Sequence, residues 1–112
     1  MSDAAFGDID IDGLEVVLNG GAHLVDVRES DEYLSGHVPG AVSVPLSELV
    51  HRVDECRDPR GGTTYMICKV GGRSANACAH LAGLGIDVTN VSGGTMAWVM
   101  SGRDVVEGTS PR

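Results

Sequence analysis

Apolar positions along this chain fall into two alternating rhythms. Leu14, Val17 and Leu18 recur at helical spacing behind Asp12 and Glu15, whose three-residue separation reads as a capping box, and Asn19-Gly20-Gly21 ends the segment. His23 to Val27 follows with little polar alternation, the pattern of a strand buried on both faces. A single short helix is predicted at Asp31-Glu32-Tyr33-Leu34, stopped by Gly36. The β-branched stretch Ala41 to Val44 predicts a strand that Pro45 ends, and Ser47 to about Cys56 predicts a helix with Leu49, Val50 and Val53 inward. Beyond the turn Asp58-Pro59-Arg60-Gly61-Gly62 come a strand over Thr64 to Cys68 and an Ala-rich helix over Ser74 to Leu84, closed by Gly85. A strand over Val88 to Val91, then Gly93-Gly94, leads into a last helix around Met96 to Met100. Strands alternating with helices at this spacing predict an α/β domain with a mainly parallel sheet. In such sheets, sites form beyond the carboxyl ends of the strands.

Length and composition narrow the picture. The 112 residues suffice for one domain, and 42% apolar with 21% charged residues is the balance of a globular chain, far from that of disordered ones. The longest apolar run is the five residues Met96 to Met100, against the roughly 20 that a membrane-spanning helix needs. Six acids and no Lys or Arg precede Arg28, which is no secretory leader, so a cytoplasmic location is expected. A net charge of -8 repels phosphate backbones and anionic lipids, which argues against nucleic acid and membrane as partners. Sixteen glycines are about twice the usual ~7% share and predict many tight turns.

Three cysteines, Cys56, Cys68 and Cys78, are too few for a disulfide scaffold and are expected as thiols. Cys68 stands where the strand rule puts a site. It ends a strand, and Lys69-Val70-Gly71-Gly72-Arg73 leads from it directly into the helix beginning at Ser74. Two adjacent glycines let backbone N–H groups point inward as a nest, backed by the positive end of the helix. Lys69 and Arg73 add two cations, and all of these influences favour a nucleophilic thiolate. Cys78, among alanines, and Cys56, near a predicted helix end, are expected to be packed thiols; a resolving role for Cys78 would make this a redox enzyme. No metal site is expected, because Cys56, Cys68, Cys78 and His80 hold no C-x-x-C pair. The acids Asp3, Asp8, Asp10 and Asp12 lack the glycine and terminal Glu of a calcium loop and are expected to form a solvated face.

Residues 68 to 74, Cys-Lys-Val-Gly-Gly-Arg-Ser, resemble the active-site loop of single-domain rhodaneses, whose pattern is Cys, two residues, Gly, one residue, Arg, Ser. Leu24-Val25-Asp26-Val27-Arg28-Glu29 is similar to the first motif of that family, Gly36-His37-Val38-Pro39-Gly40-Ala41 to the second, and Gly93-Gly94 with Trp98 to the closing helix. The likeness spans about residues 8 to 106 and implies a rhodanese-like fold, a five-stranded mainly parallel sheet flanked by helices on both faces. The expected domain is 6–106, with 1–5 and 107–112 as short flexible termini. The resemblance implies a sulfurtransferase without metal or organic cofactor, in which Cys68 carries a transient persulfide. Lys69, Val70, Gly71, Gly72, Arg73 and Ser74 would form the substrate- and anion-binding loop. The implied partners are a small anionic sulfur donor such as thiosulfate and an acceptor such as cyanide, a small thiol or a protein cysteine. Asp26 and Arg28 are expected to border the pocket as an ion pair fixing neighbouring loops, and His37 to hold its loop by hydrogen bonds. Phosphatases and some arsenate reductases of the same fold have five residues between Cys and Arg; here four intervene, a smaller cradle that suits a sulfur atom better than a phosphoryl group. A non-catalytic rhodanese-like binding module and a thiol redox or arsenate-reducing enzyme of this fold stay open beside the sulfurtransferase.

Overall fold

The computed structural model describes residues 5–112. Five strands, β1 (Gly7–Ile9), β2 (His23–Asp26), β3 (Val42–Ser43), β4 (Thr64–Ile67) and β5 (Val88–Val91), form one all-parallel sheet in the order β1-β5-β4-β2-β3. Four α-helices cover it, α1 (Ile11–Asn19), α2 (Ser30–Ser35), α3 (Gly72–Gly83) and α4 (Gly94–Met100). Parallel strands need crossover connections, and the intervening helices supply them. Cys68 directly follows the central strand, β4, which ends one residue earlier than expected.

Side chains alternate across the sheet, so consecutive residues feed two separate cores. Val25, Met66, Cys68 and Val88 face α3 and pack with Ala77, Cys78 and Leu81. Leu24, Ile67 and Val91 face the other way and pack with Leu14 of α1, Tyr33 of α2 and Trp98 of α4. Fully burying each of these larger side chains contributes about 1.5–3 kcal/mol, which is why both faces must be covered.

The architecture agrees with expectation while several details differ. β1 has no counterpart in the hydrophobic pattern, because a three-residue edge strand with its first two residues exposed carries no periodic signal. Helix α1 is capped by Asp10, whose carboxylate accepts the Gly13 N–H at 2.8 Å; Asp12, expected as the cap, lies inside the first turn. The segment expected as one helix over Ser47 to Cys56 is two 3-10 turns, Leu46–His51 and Val53–Cys56. Three residues per turn bring Leu46 and Leu49 onto one side and leave Val50 60% exposed, against the expectation that it faces inward. Asp8, Asp10 and Asp12 are exposed, as expected, and also make surface contacts: Asp10 caps α1, Asp12 pairs with Arg103 at 2.9 Å, and Asp8 bonds side chains of β5 and the residue after it; Asp3 lies outside the described residues.

Of the termini expected to be flexible, residues 1–4 lie outside the described part. Segment 107–112 follows an antiparallel bridge between Val106 and His37; Gly108 N–H donates to the Leu34 carbonyl at 2.9 Å and Gly40 N–H to the Pro111 carbonyl at 2.8 Å. Among the described residues no helix is long and apolar enough to cross a membrane.

Candidate active site

The site is assembled at the carboxyl end of β4. There the chain turns through Lys69, Val70 and Gly71 and enters α3 at Gly72. The turn requires Gly71, whose φ of +116° is a conformation that side-chain-bearing residues rarely adopt. It brings the Gly71 N–H to 3.1 Å from the Cys68 Sγ, and the Ser74 hydroxyl to 3.2 Å. The carbonyls on the other side of the strand end are held by α4: Thr95 N–H donates to Cys68 O at 2.9 Å and Met96 N–H to Lys69 O at 3.0 Å. So close an approach needs Gly94, because a Cβ there would lie 2.6 Å from the Cys68 oxygen and 2.5 Å from that of Lys69.

Electrostatics single out this cysteine. Cys68 is 1% exposed, and burial, the strongest single influence, pushes its thiol up. The Ser74 hydroxyl and the backbone N–H groups of Ser74, Gly71 and Val70 together outweigh it, and the thiol lies below its ordinary value. The charge on the sulfur is thus held by oriented hydrogen-bond donors rather than by the two cations that the sequence emphasises. Arg73 is committed elsewhere, donating to both carboxylate oxygens of Glu32 at 2.7 and 2.9 Å. That bidentate bond pulls the Glu32 carboxyl down to about 2, and the Glu32 carboxylate raises the guanidinium further. Glu32 also accepts the Glu29 N–H at 3.1 Å, so one carboxylate caps α2 and ties it to the cysteine loop. Lys69 is exposed, and no carboxylate pairs with it among the described residues. Val70 is 57% exposed at the loop tip.

A groove of about 480 Å³ runs beside the loop between α2 and α4, bordered by Lys69, Glu32 and Thr95, with Met96, Val99 and Met100 on its apolar side. Asp26 and Arg28 form the expected buried ion pair at 2.8 Å, and Arg28 also donates to the Gly36 carbonyl at 2.8 Å, tying the end of β2 to the end of α2. Arg28 borders the groove; Asp26, fully buried, does not. His37 is buried and stacked on Tyr33 with ring centroids 3.7 Å apart. Its ring nitrogens lie 2.9 Å from the Tyr33 carbonyl and 2.8 Å from that of Ser110, which leaves neither for the cysteine. Cys56 and Cys78 are buried with no comparable donors, and burial pushes them up to about 11 and about 12.

Three polar residues beside the loop were not among the site residues expected from the sequence. Glu32 was legible only as a polar position of a short helix. Asn90 sits within a strand and bonds Ser74, and Asp8 bonds Asn90. Only the pairing of β1, β5 and β4 brings these last two beside the loop.

Comparison with known proteins agrees with this geometry. The chain superposes on the crystal structure of a rhodanese-related protein from Thermoplasma volcanium with a TM-score of 0.81 and 30% identity, covering 90% of this chain and 98% of that one. It is 34% identical over 84 residues to a protein of Allochromatium vinosum named "Sulfurtransferase", covering 74% of this chain and 77% of the relative. A longer relative from Synechocystis is 35% identical over 85 residues, and the match spans 75% of this chain and 46% of that protein. The profile of the Rhodanese-like domain matches residues 12–101, and the chain belongs to that family.

Proposed function

We propose that this domain is a sulfurtransferase that moves a sulfane sulfur through a persulfide on Cys68. The observation that carries this reading is the pair of donors on a buried sulfur, Gly71 N–H at 3.1 Å and the Ser74 hydroxyl at 3.2 Å, at the start of a helix. The Cys68 thiolate attacks the outer sulfur of a donor such as thiosulfate; the S–S bond breaks, and sulfite leaves with the electron pair. Negative charge then sits on the outer sulfur of the persulfide, within reach of the loop N–H groups. An acceptor such as cyanide, a small thiol or a protein cysteine attacks that outer sulfur and returns Cys68 as thiolate. Lys69 attracts the anionic donor, while Arg73, clamped by Glu32, keeps the loop in shape. The name of the Allochromatium relative supports the reaction class. Cys56 and Cys78, held as neutral buried thiols, support a single nucleophile over a redox pair.

Incubation with thiosulfate followed by intact and peptide mass spectrometry tests the chemistry and the site together. Cys68 is expected to gain one sulfur, about 32 Da, which dithiothreitol or cyanide removes. An unmodified Cys68 after thiosulfate, persulfide and polysulfide would overturn the proposal.

A further inference from the structure

One proton beside Cys68 is claimed three times. The Ser74 hydroxyl carries a single hydrogen, and three acceptors lie around it: Sγ of Cys68 at 3.2 Å, Oδ1 of Asn90 at 2.5 Å and the Gly71 carbonyl at 3.2 Å. The orientation of the Asn90 amide follows from its far side. Its NH₂ group lies 3.2 Å from a carboxylate oxygen of Asp8 and 3.3 Å from the Gly71 carbonyl, both acceptors only, so the amide oxygen is the end that faces Ser74. Asp8 is in turn bonded by the Ser92 hydroxyl at 3.3 Å. Asn90 is 6% exposed, and its oxygen is therefore committed to Ser74.

We propose that Asn90 is a positioning residue for the chemistry of Cys68, its amide oxygen competing with the sulfur for the Ser74 hydroxyl proton. A charged thiolate is a strong acceptor and draws the proton to itself. Once the sulfur is the neutral inner atom of a persulfide it is a weak acceptor, and the hydroxyl turns back to Asn90. Asn90 therefore stabilises the sulfur-loaded state relative to the empty thiolate. It also limits how far the thiolate is stabilised, which preserves nucleophilicity, since that falls as thiol acidity rises. This inference rests on the sulfur-transfer reading. The charged groups around the network are Asp8 on β1, Lys69 and Arg73 on the loop, Glu32 of α2 on Arg73, and the Asp26–Arg28 pair after β2; the variants below leave all of them in place.

The test is the pH dependence of Cys68 alkylation by iodoacetamide in the wild type, Asn90→Leu, Ser74→Ala and the double variant, with sulfur loading by thiosulfate and unloading by cyanide measured separately. Asn90→Leu is expected to lower the Cys68 titration midpoint by about 0.5 pH unit or more, and to slow loading about 3-fold while speeding unloading. In the Ser74→Ala background the same substitution is expected to move neither. Asn90→Asp, almost the same shape, is expected to raise the midpoint more with Ser74 present than in the Ser74→Ala background, which separates competition for the hydroxyl from the charge the variant adds, and it keeps the test valid if the leucine variant does not fold. A midpoint unmoved by both Asn90 changes, or an Asn90→Leu shift of equal size with and without Ser74, overturns the proposal. Alkylation requires no sulfur donor, so a wild type that never loads sulfur defeats the sulfurtransferase reading separately from this one.

Discussion

Cys68 and Cys78 belong to the same apolar cluster and flank the same helix start, one just before α3 and the other within it. Both are almost wholly buried, yet one thiol is shifted down and the other up to about 12. Desolvation acts on both in the same direction. The difference is that Cys68 precedes the helix, where N–H groups have no partner in the preceding turn and aim at its sulfur, while Cys78 sits where every neighbouring N–H is spent inside the helix. In this structure the position of a cysteine relative to one helix terminus, rather than its depth, separates a thiol shifted down from one shifted up.

The largest test of that contrast is removal of each sulfur. Cys68→Ser is expected to abolish sulfur uptake, a loss of at least about 1,000-fold, whereas Cys78→Ser leaves turnover within a few-fold. Steady-state assays with thiosulfate and cyanide measure both, and comparable losses would erase the distinction.

Residue-resolved alkylation sharpens it. At pH 7 Cys68 is expected to react more than about 100-fold faster than Cys56 or Cys78, with a rate that rises through a midpoint below the free-thiol value of ~8.5. Equal labelling of Cys78 would show that the helix terminus does not activate Cys68.

The cations rank next. Arg73→Ala is expected to slow turnover about 10-fold, roughly 1.4 kcal/mol, with circular dichroism unchanged, because the loop loses its tie to Glu32. Lys69→Ala is expected to act mainly on the KM for thiosulfate, by a few-fold. If both changes act only on KM, Arg73 attracts anions and does not shape the loop.

The packed thiols themselves are tested by stability at high pH. Cys56 and Cys78 are raised to about 11 and about 12 in the native protein, against ~8.5 in the unfolded chain. Their contribution is complete below the unfolded value. Between roughly pH 9 and 11 the unfolded state releases protons that the native state retains, so stability falls as pH rises, by at most about 1.4 kcal/mol per thiol per pH unit. Cys68 is shifted the opposite way: its contribution grows as pH rises towards ~8.5 and is constant above that, outside the window of decline. Thermal unfolding from pH 7.5 to 10.5 is expected to show a decline that Cys78→Ala makes shallower, even though that change lowers the starting Tm.

The sequence by itself determined the alternation of strands and helices, because apolar runs such as Leu24-Val25 and Met66-Ile67 need cover on both faces and the glycines mark where the chain turns. It also determined the cysteine loop, whose residues are contiguous: a strand end, Gly71 at a φ only glycine readily adopts, and a helix start are local properties. Contacts between distant residues were beyond it. That Arg73 grips Glu32, that Gly94 lets α4 reach the Cys68 carbonyl, and that Asp8 and Asn90 stand behind Ser74 all follow from the order β1-β5-β4-β2-β3. Glu32, Asp8 and Asn90 in isolation read as ordinary polar residues and Gly94 as a turn glycine, and only the packing of the elements fixes which of them meet. Local chemistry therefore singled out the cysteine and the donors around its sulfur, and the tertiary structure decided which distant side chains hold that loop and compete for the Ser74 proton.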